Sequence, residues 1–451
     1  MALVAPFKAL RYNAEKVSLE KVVTPPYDVI SPEQQDAYYQ ADPHNIIRLD
    51  LNKQRDSDTA EDNTYTRAAA NLKQWMAQEV IKRDAAAGFY PLTTRFTDPE
   101  GEEHVRHGFL TLLKAVDYSL GGVLPHEKTF SGTKEDRLNL LKAVSTNLSP
   151  IFALYPDDDN LVQRTLEAAK RTPELVDMTD PLDMVQRMSV VDDPEVCAEV
   201  VRLMADKVIF IADGHHRYET AQNYRAYMRR RYPQAPDNAS FNYVMVYLCS
   251  MSDPGLTTLG CHRLIHHLHG FNSRDFLALA EPYFDASEVP FDGDPEAARR
   301  RFIKQLTDNW RKAPSFGLVT SGDQAFHLLT LKPGVAEQEP LANIPGPMRA
   351  LDAEVLTHVV LEHILGLDNH ARDREHLIAY RSDTAGVVSD VLSGKARLAF
   401  LMNPTPVDQV QSVAEAGLIM PRKSTYFYPK VLTGLTMNLI DPAETIEAGR
   451  G

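Results

Sequence analysis

The sequence predicts an α/β or α+β fold, and three observations support this class. Apolar runs of strand length, such as residues 150–155, 208–211 and 242–251, alternate with segments whose apolar residues recur at helical spacing. The chain has 451 residues, enough for two or three domains with a sizeable core. Its composition, 43% hydrophobic and 24% charged, is typical of globular proteins.

The elements are predicted in chain order from these patterns. Ser31 and Pro32 mark the start of a helix, because serine caps helices and proline suits the first helical position. Residues 44–50 are predicted as a short strand or turn, and residues 156–185 as an irregular insertion. The other predicted helices are 63–84, 133–145, 193–206, 215–232, 275–284, 297–312, 352–366 and 383–394, and the predicted strands lie within 88–116 and at 123–124, 150–155, 208–211, 242–251, 315–321, 325–332 and 396–403.

Two predicted boundaries, near residues 115–120 and 265–275, divide the chain into three regions. They are an N-terminal α+β region at 1–117, a core at 118–268 and a C-terminal α/β region at 269–451.

Charge and cysteine content exclude several classes of function. The net charge of −14 argues against a nucleic-acid partner or an anionic membrane surface. The three cysteines form no CxxC pair, so neither a disulfide framework nor a cysteine zinc site is expected. No run approaches the roughly 20 apolar residues of a membrane helix, and the N-terminus lacks a secretory pattern, so a cytoplasmic location is predicted. The oligomeric state is left open, with a homodimer among the options.

The stretch VIFIADGHHRYETA, residues 208–221, predicts an anion site. An apolar strand ends at Asp213 and Gly214, and His215, His216 and Arg217 open the next helix. Positive groups at a helix start oppose the helix dipole, so they cost stability unless an anion lies there. Free backbone N–H groups at such a start bind phosphate, and glycine allows close approach. The alternative is a simple Asp-Gly turn before a solvated helix end.

The turn resembles the signature of the ParB/sulfiredoxin superfamily and is similar to the nucleotide turn of free serine kinases. The whole chain resembles a domain-of-unknown-function family, number ten-fifteen. The resemblance rests on the segments PPYDVI (25–30), NIIRLDL (45–51), LPHEKTFSGTKEDRL (124–138), NLSPIFALY (147–155), DGHHRYETA (213–221), DPGLTTLGCHRLI (253–265), NPTPV (403–407) and PRKSTYFYPK (421–430).

This resemblance implies a ParB/sulfiredoxin-like nucleotide-binding core with N- and C-terminal α/β extensions. His216 and Arg217 take the positions of the phosphate-binding histidine and arginine, and Asp213, Gly214 and His215 complete the turn. His215 stands where sulfiredoxins carry their reactive cysteine, so sulfinic acid reduction is not expected. The glutamate-rich ParB clamp has no counterpart, so a DNA-partitioning role is not expected either.

The resemblance also implies a catalytic pair. In serine kinases the glutamate of a His-Glu segment resembles the general base that takes the hydroxyl proton. His126 and Glu127 form the matching segment here. About fifty extra residues separate this segment from the turn. The alternative is that Glu127 is an exposed loop charge.

Five further residues are candidates for substrate binding. Asp28 follows two prolines and could hold an amine or orient Arg217, or it could bond its own turn. Arg48 could bind a carboxylate, or it could form a surface ion pair. Lys134 could neutralise phosphate, or it could belong to an ordinary first helical turn. His262 and Arg263 match the family segment and could line the pocket. No metal site is predicted, because the histidines near residue 262 have no acidic partner at a matching step.

Together these features predict a nucleotide-dependent small-molecule kinase that uses ATP or ADP with Mg²⁺. A hydroxyl would accept the phosphate, and free L-serine is the best single substrate prediction. The alternatives are a non-catalytic nucleotide-binding regulator and a structural protein without ligand.

Overall fold

The computed structural model describes residues 3–127, 131–368, 377–421 and 423–447, without the side chains of residues 131–133. Their strands, numbered β1 to β21 in chain order, are Val4–Ala5, Leu10–Tyr12, Ile81–Arg83, Tyr90–Thr97, Glu103–Lys114, Val123–Leu124, Thr146–Asn147, Ile151–Tyr155, Val176–Thr179, Val185–Met188, Ile209–Asp213, Tyr243–Ser250, Thr257–Thr258, His262–Ile265, Phe284–Pro290, Ser315–Thr320, Ala325–Leu331, Ile378–Arg381, Leu398–Met402, Phe427–Tyr428 and Asn438–Leu439.

Helices alternate with these strands along the chain. The α-helices, numbered α1 to α14 in chain order, are Leu19–Val22, Pro32–Ala41, Ile47–Asp50, Thr64–Ala77, Ser131–Val144, Leu161–Ala169, Pro194–Met204, His215–Arg231, Ser273–Ala280, Pro295–Asn309, Gly346–Arg349, Asp352–Val355, Thr384–Leu392 and Val407–Glu415. A π-helix spans Leu356–Ile364, and short 3₁₀ helices span Tyr27–Val29, Tyr118–Leu120, Ser240–Asn242 and Val335–Glu337. The predicted α+β class is confirmed.

The contacts divide the chain into two compact units. Unit 1 comprises Met1–Pro125, Thr129–Leu256 and Pro429–Gly451. Unit 2 comprises His126–Lys128 and Thr257–Tyr428. The predicted division at 1–117, 118–268 and 269–451 stays a prediction.

Unit 1 is built on a mixed sheet with the strand order β6-β11-β8-β12-β5-β4-β10-β9, and β1 pairs with β5. β11 is parallel to β6 and antiparallel to β8, whereas β8 and β12 are parallel. β8 and β12 are buried along their whole length, as expected for apolar strands covered on both faces. Because β6 and β11 run in the same direction, both strands end at the same edge of the sheet.

The core of unit 1 explains why β11 and α8 are held firmly. Ile209 and Ile211 of β11 pack in the same apolar cluster as Tyr218 and Ala221 of α8. Tyr218 also donates a hydrogen bond through its hydroxyl to the carbonyl oxygen of Val116, at 2.9 Å. The turn between β11 and α8 therefore connects two well-packed elements.

Unit 2 has an antiparallel sheet with the strand order β15-β17-β16-β19-β14-β18. Successive side chains of a strand point to opposite faces. Leu264 and Ala399 accordingly pack in one apolar cluster, while Ile265 and Leu398 pack in another. Both faces of this sheet are therefore covered.

Three sequence predictions about local structure are wrong. The helix predicted at 63–84 ends at Ala77, and Ile81–Arg83 forms the strand β3. Residues 47–50 form the helix α3, because the side chain of Asn45 accepts a hydrogen bond from the backbone N–H of Ile47 at 2.9 Å. Residues 156–185 are ordered as α6 and β9, and β9 pairs with β10. The four residues of α3 are too few for a helical period to be read from apolar spacing alone.

None of the helices in the described part of the chain has the length and apolar character that crossing a membrane requires.

Candidate functional site

The turn between β11 and α8 has the predicted geometry. β11 ends at Asp213, Gly214 is the N-cap residue, and α8 begins at His215. Gly214 has φ +90° and ψ +30°, and no side-chain hydrogen bond caps the helix at this residue. The first turn of α8 carries no acidic residue. The helix start therefore keeps the positive end of its dipole without an acidic side chain of its own.

Glycine is required at position 214 for two reasons. A φ of +90° is costly for any residue with a Cβ atom. A Cβ atom at this position would also lie 2.8 Å from Nε of Arg217 and 2.9 Å from its Cζ. The guanidinium thus lies directly over the backbone of the turn.

Arg217 is held by the chain itself. Its Nη2 donates to Oδ2 of Asp213 at 2.5 Å, and its Nη1 donates to Oγ of Ser149 at 2.8 Å and to the carbonyl oxygen of Pro150. Lys430 pairs with the other oxygen of Asp213. The sequence-based argument that a ligand must supply the anion at this helix start is therefore incomplete, because Asp213 is an anion within the turn.

The ionisation of the turn follows from these contacts. Burial alone would raise the pKa of Asp213, but the charges of Lys430 and Arg217 outweigh it and lower that pKa well below its usual range. Burial disfavours the charged form of Arg217, yet Asp213 and then Asp28 raise its pKa. His215, which is buried, also favours the ionised form of Asp213. The turn consequently holds fixed charges of both signs at neutral pH.

A cavity that is partly open to solvent lies beside Arg217 in unit 1. Arg217 and Thr220 of α8 line one side, and their spacing of three residues puts them on one face of that helix. The other lining residues are Tyr27, Asp50, Arg137, Leu140, Leu141, Thr146, Asn147, Leu148, Ser149 and Val244.

An ion pair between Asp50 and Arg137 forms the polar wall of this cavity. Nη1 of Arg137 donates to the carbonyl oxygen of Asp50 at 2.7 Å and lies 3.3 Å from its Oδ1. The guanidinium carbon of Arg137 is 4.2 Å from the ring centroid of Tyr27, a cation–π contact. Burial raises the pKa of Asp50, against the opposing charges of Arg137 and Arg217. Burial also raises the pKa of Tyr27 to about 12.

The predicted substrate residues of unit 1 have different surroundings. Asp28 lies in the 3₁₀ helix Tyr27–Val29 and is exposed. Arg48 donates to the carbonyl oxygen of Tyr39 at 2.8 Å and lies over that ring at 4.3 Å. Lys134 pairs with Glu219 at 2.8 Å. Their predicted roles in substrate binding stay predictions.

The other predicted residues belong to unit 2. His126 is buried, and its Nε2 is 2.9 Å from Oγ1 of Thr425. Glu127 forms a parallel β-bridge with Met420, and its Oε1 accepts a hydrogen bond from the backbone N–H of Lys423 at 3.4 Å.

His262 and Arg263 lie on the buried strand β14 of the same unit. Nδ1 of His262 accepts from the backbone N–H of Met402 at 3.0 Å, so Nε2 carries the proton that is shared with Thr384. Burial and then the charge of Arg263 lower the pKa of His262 to about 3. Arg263 donates to the carbonyl oxygen of Cys261 and lies 5.4 Å from the ring centroid of Tyr380.

Several residues of the cavity and turn were not identified from the sequence, chiefly Asp50, Arg137, Ser149, Thr220 and Lys430. A signal existed for all five, because each of them falls inside one of the family segments quoted above. Nothing local distinguished them, since a charged residue in a helix is usually exposed. Only the fold shows that Asp50 and Arg137 are buried together.

The described residues contain no group of three or more His, Cys, Asp or Glu side chains that could hold a metal ion.

A family described as "Protein of unknown function (DUF1015)" matches residues 4–354. The chain therefore belongs to this family, as the sequence segments indicated.

Solved structures that match the chain include free serine kinase in complex with AMP. That match has a TM-score of 0.34 and 11% identity, and it covers 71% of this chain and 89% of the other. A free serine kinase variant in complex with ADP matches with the same values. A conserved hypothetical protein from Pyrococcus furiosus matches with a TM-score of 0.32 and 12% identity, covering 72% and 94% of the two chains. With TM-scores below 0.5, these likenesses carry no conclusion about function. No curated protein matches the chain.

Proposed function

We propose that this protein is a nucleotide-dependent small-molecule kinase of the cytoplasm, with the nucleotide phosphates seated at residues 213–217. It transfers phosphate from ATP or ADP to a hydroxyl group, and free L-serine is the best single substrate prediction. The choice of serine follows the resemblance of the turn to that of free serine kinases.

The observation that carries the proposal is the uncapped start of α8 beneath the Arg217 guanidinium. Backbone N–H groups at a helix start and the helix dipole both favour an anion. Gly214 leaves the backbone open to close approach, and Arg217 and Lys430 bring two fixed positive charges to the same turn. Asp213 balances only part of this charge.

The reaction needs few chemical groups from the protein. The hydroxyl oxygen of the acceptor forms a bond to the terminal phosphorus, and the bond from that phosphorus to the leaving ADP or AMP breaks. The hydroxyl proton passes to a carboxylate. Catalysis is then mostly positioning and neutralisation of phosphate charge.

Glu127 stays the predicted acceptor of that proton. The prediction rests on the resemblance of its segment to the His-Glu segment of serine kinases.

Mg²⁺ would be bound mainly by the nucleotide. The described residues offer no cluster of three acidic or histidine ligands, so phosphate oxygens and water would complete the coordination shell. When bound, the ion neutralises phosphate charge.

Phosphorus NMR tests the proposal directly. The full chain is incubated with Mg²⁺, ATP or ADP, and a panel of hydroxyl-bearing amino acids. We expect a new phosphomonoester signal with at least one acceptor. Arg217→Ala should weaken nucleotide binding by about 10-fold or more, because it removes charge-assisted hydrogen bonds. Arg230→Ala, at the exposed end of the same helix, is the matched control and should bind as the parent does.

Glu127→Gln should bind nucleotide normally and lose turnover. Turnover that survives this change removes Glu127 as the base. Nucleotide binding without product for any acceptor would instead support a non-catalytic regulator. The absence of any nucleotide binding contradicts both functions.

A further inference from the structure

We infer that the cavity beside Arg217 binds the phosphate acceptor as a small zwitterionic amino acid, with its ammonium group at Asp50 and its carboxylate at Arg137. The inference rests on the proposed kinase function only in calling this ligand the acceptor. The binding site itself is argued from the cavity.

The cavity contains charges of both signs. Asp50 supplies a carboxylate, and Arg137 and Arg217 supply two guanidinium groups. A ligand with a single charge would leave either the Asp50 carboxylate or the guanidinium groups without an opposite charge, whereas a zwitterion offers an opposite charge to both. The α-ammonium and α-carboxylate groups of an amino acid are attached to the same carbon, a separation that suits an adjacent Asp–Arg pair.

Asp50 is the residue that most clearly requires a ligand. It is 6% exposed, and its Oδ1 lies 3.3 Å from Nη1 of Arg137. Its Oδ2 is buried and has no hydrogen-bond partner among the described residues. Leaving a buried charged oxygen unpaired is costly, and an ammonium group supplies the missing donor.

Arg137 retains a donor for the carboxylate. A guanidinium group has five N–H groups. The contacts with Asp136 and Asp50 use Nε once, Nη1 twice and Nη2 once. One N–H of Nη2 is therefore left over among the described contacts.

The remaining walls limit the size of the ligand. Leu140, Leu141, Leu148 and Val244 enclose the cavity with apolar surface. Oγ1 of Thr220 is buried without a hydrogen-bond partner in the described part of the chain, so one polar group on the ligand side chain could bind there. Thr220 lies one helical turn from Arg217, so this cavity adjoins the predicted phosphate-binding turn at residues 213–217.

Calorimetric titration of the parent chain with ligand analogues tests the inference without any mutation. The titrants are the natural amino acids, including L-serine, and two analogues of serine. Ethanolamine lacks the carboxylate, and 3-hydroxypropionate lacks the amine. We expect an amino acid to bind, and each analogue of serine to bind at least about 10-fold more weakly than serine, because each loses a charge-assisted hydrogen bond.

Asp50→Asn assigns the ammonium contact. In this variant serine and 3-hydroxypropionate should bind with affinities within about 3-fold of each other, because the ammonium group no longer gains a carboxylate partner. Asp180→Asn is the matched control, since Asp180 is also a buried aspartate of unit 1 but does not line the cavity. The Asp180→Asn variant should bind serine more tightly than 3-hydroxypropionate by the same factor as the parent does.

Three results overturn the inference: no amino acid binds the parent chain, the two analogues bind as tightly as serine, or adenosine competes with the amino acid for the cavity. These outcomes are distinct from failure of the kinase function. If serine binds more tightly than both analogues but no phosphorylated product forms, the kinase function is rejected and the assignment of the amino acid site is still supported.

Discussion

Asp213 is the carboxylate on which the charge balance of the turn depends. It accepts from Arg217 through one oxygen and from Lys430 through the other, and its side chain is 13% exposed. A buried carboxylate between two cations stays ionised, and each cation in turn needs it. The turn is thus ordered before any phosphate arrives.

Asp213→Asn should destabilise the protein by about 3–5 kcal/mol at neutral pH, because Arg217 and Lys430, both largely buried, lose their ion pair with this carboxylate. The lowered pKa in the folded state means that the contribution of Asp213 is fully present above the ordinary aspartate pKa, about 3.9. That contribution is lost as the pH falls below this value. The difference in stability between parent and variant should therefore narrow in acid.

Urea unfolding of both proteins, from neutral pH to below the ordinary aspartate pKa, measures this difference in stability. Asp177→Asn, which removes an exposed ion pair with Arg187, is the control and should change stability by about 0.5 kcal/mol or less. A difference between Asp213→Asn and parent that stays constant as the pH falls would show that Asp213 is not held ionised by its partners.

Single residues of the site were only partly predictable. Arg217 and Gly214 were identified because a strand, a glycine and a cluster of positive groups adjoin in sequence. Asp50 and Arg137 are 87 positions apart, and their pairing depends on the packing of α3 and α5 against α4 in unit 1. No local pattern carries that information.

The junction of β11 and α8 is the element that gives these residues their function. β11 is anchored by pairing with β6 and β8, and α8 packs through Tyr218 and Ala221 into the core of unit 1. Gly214, with φ +90°, is the single residue between them. A substitution at this glycine should therefore affect both stability and ligand binding.

Gly214→Ala should cost more stability than the same change at a glycine with free space. Gly394 is the matched control, because it has φ +77° and an added Cβ atom would meet nothing within 4 Å. We expect Gly394→Ala to cost about 1–2 kcal/mol from its backbone conformation alone. Gly214→Ala adds the collision with the Arg217 guanidinium and should also weaken nucleotide binding.

Thermal or urea unfolding together with nucleotide titration compares the two variants. Equal losses of stability, with nucleotide affinity unchanged at position 214, would mean that the close approach of Arg217 has no role in the site.

Long elements were predicted better than short ones, for a physical reason. α7 and α8 span several turns, and both lie close to their predicted limits. The apolar residues of α7 also recur at helical spacing. α3 has four residues, and the side chain of Asn45 accepts a hydrogen bond from the backbone N–H of its first residue, Ile47. Such a bond is compatible with turn or helix, and the sequence does not choose between them.

For the whole chain, the family and the α+β class were predictable from the sequence. Residues 429–451 belong to unit 1 although the long segment Thr257–Tyr428 of unit 2 separates them from Leu256. Lys430 reaches Asp213 only because of this return of the chain. Pairings at such separation depend on the complete fold.

The central claim is that residues 213–217 bind the phosphates of a nucleotide. A crystal structure of the full chain with ADP and Mg²⁺ tests it most directly. We expect phosphate oxygens within about 3 Å of the backbone N–H groups of residues 215–217 and of the Arg217 guanidinium. Phosphates bound elsewhere on the chain, or no bound nucleotide at saturating ADP, would contradict the claim.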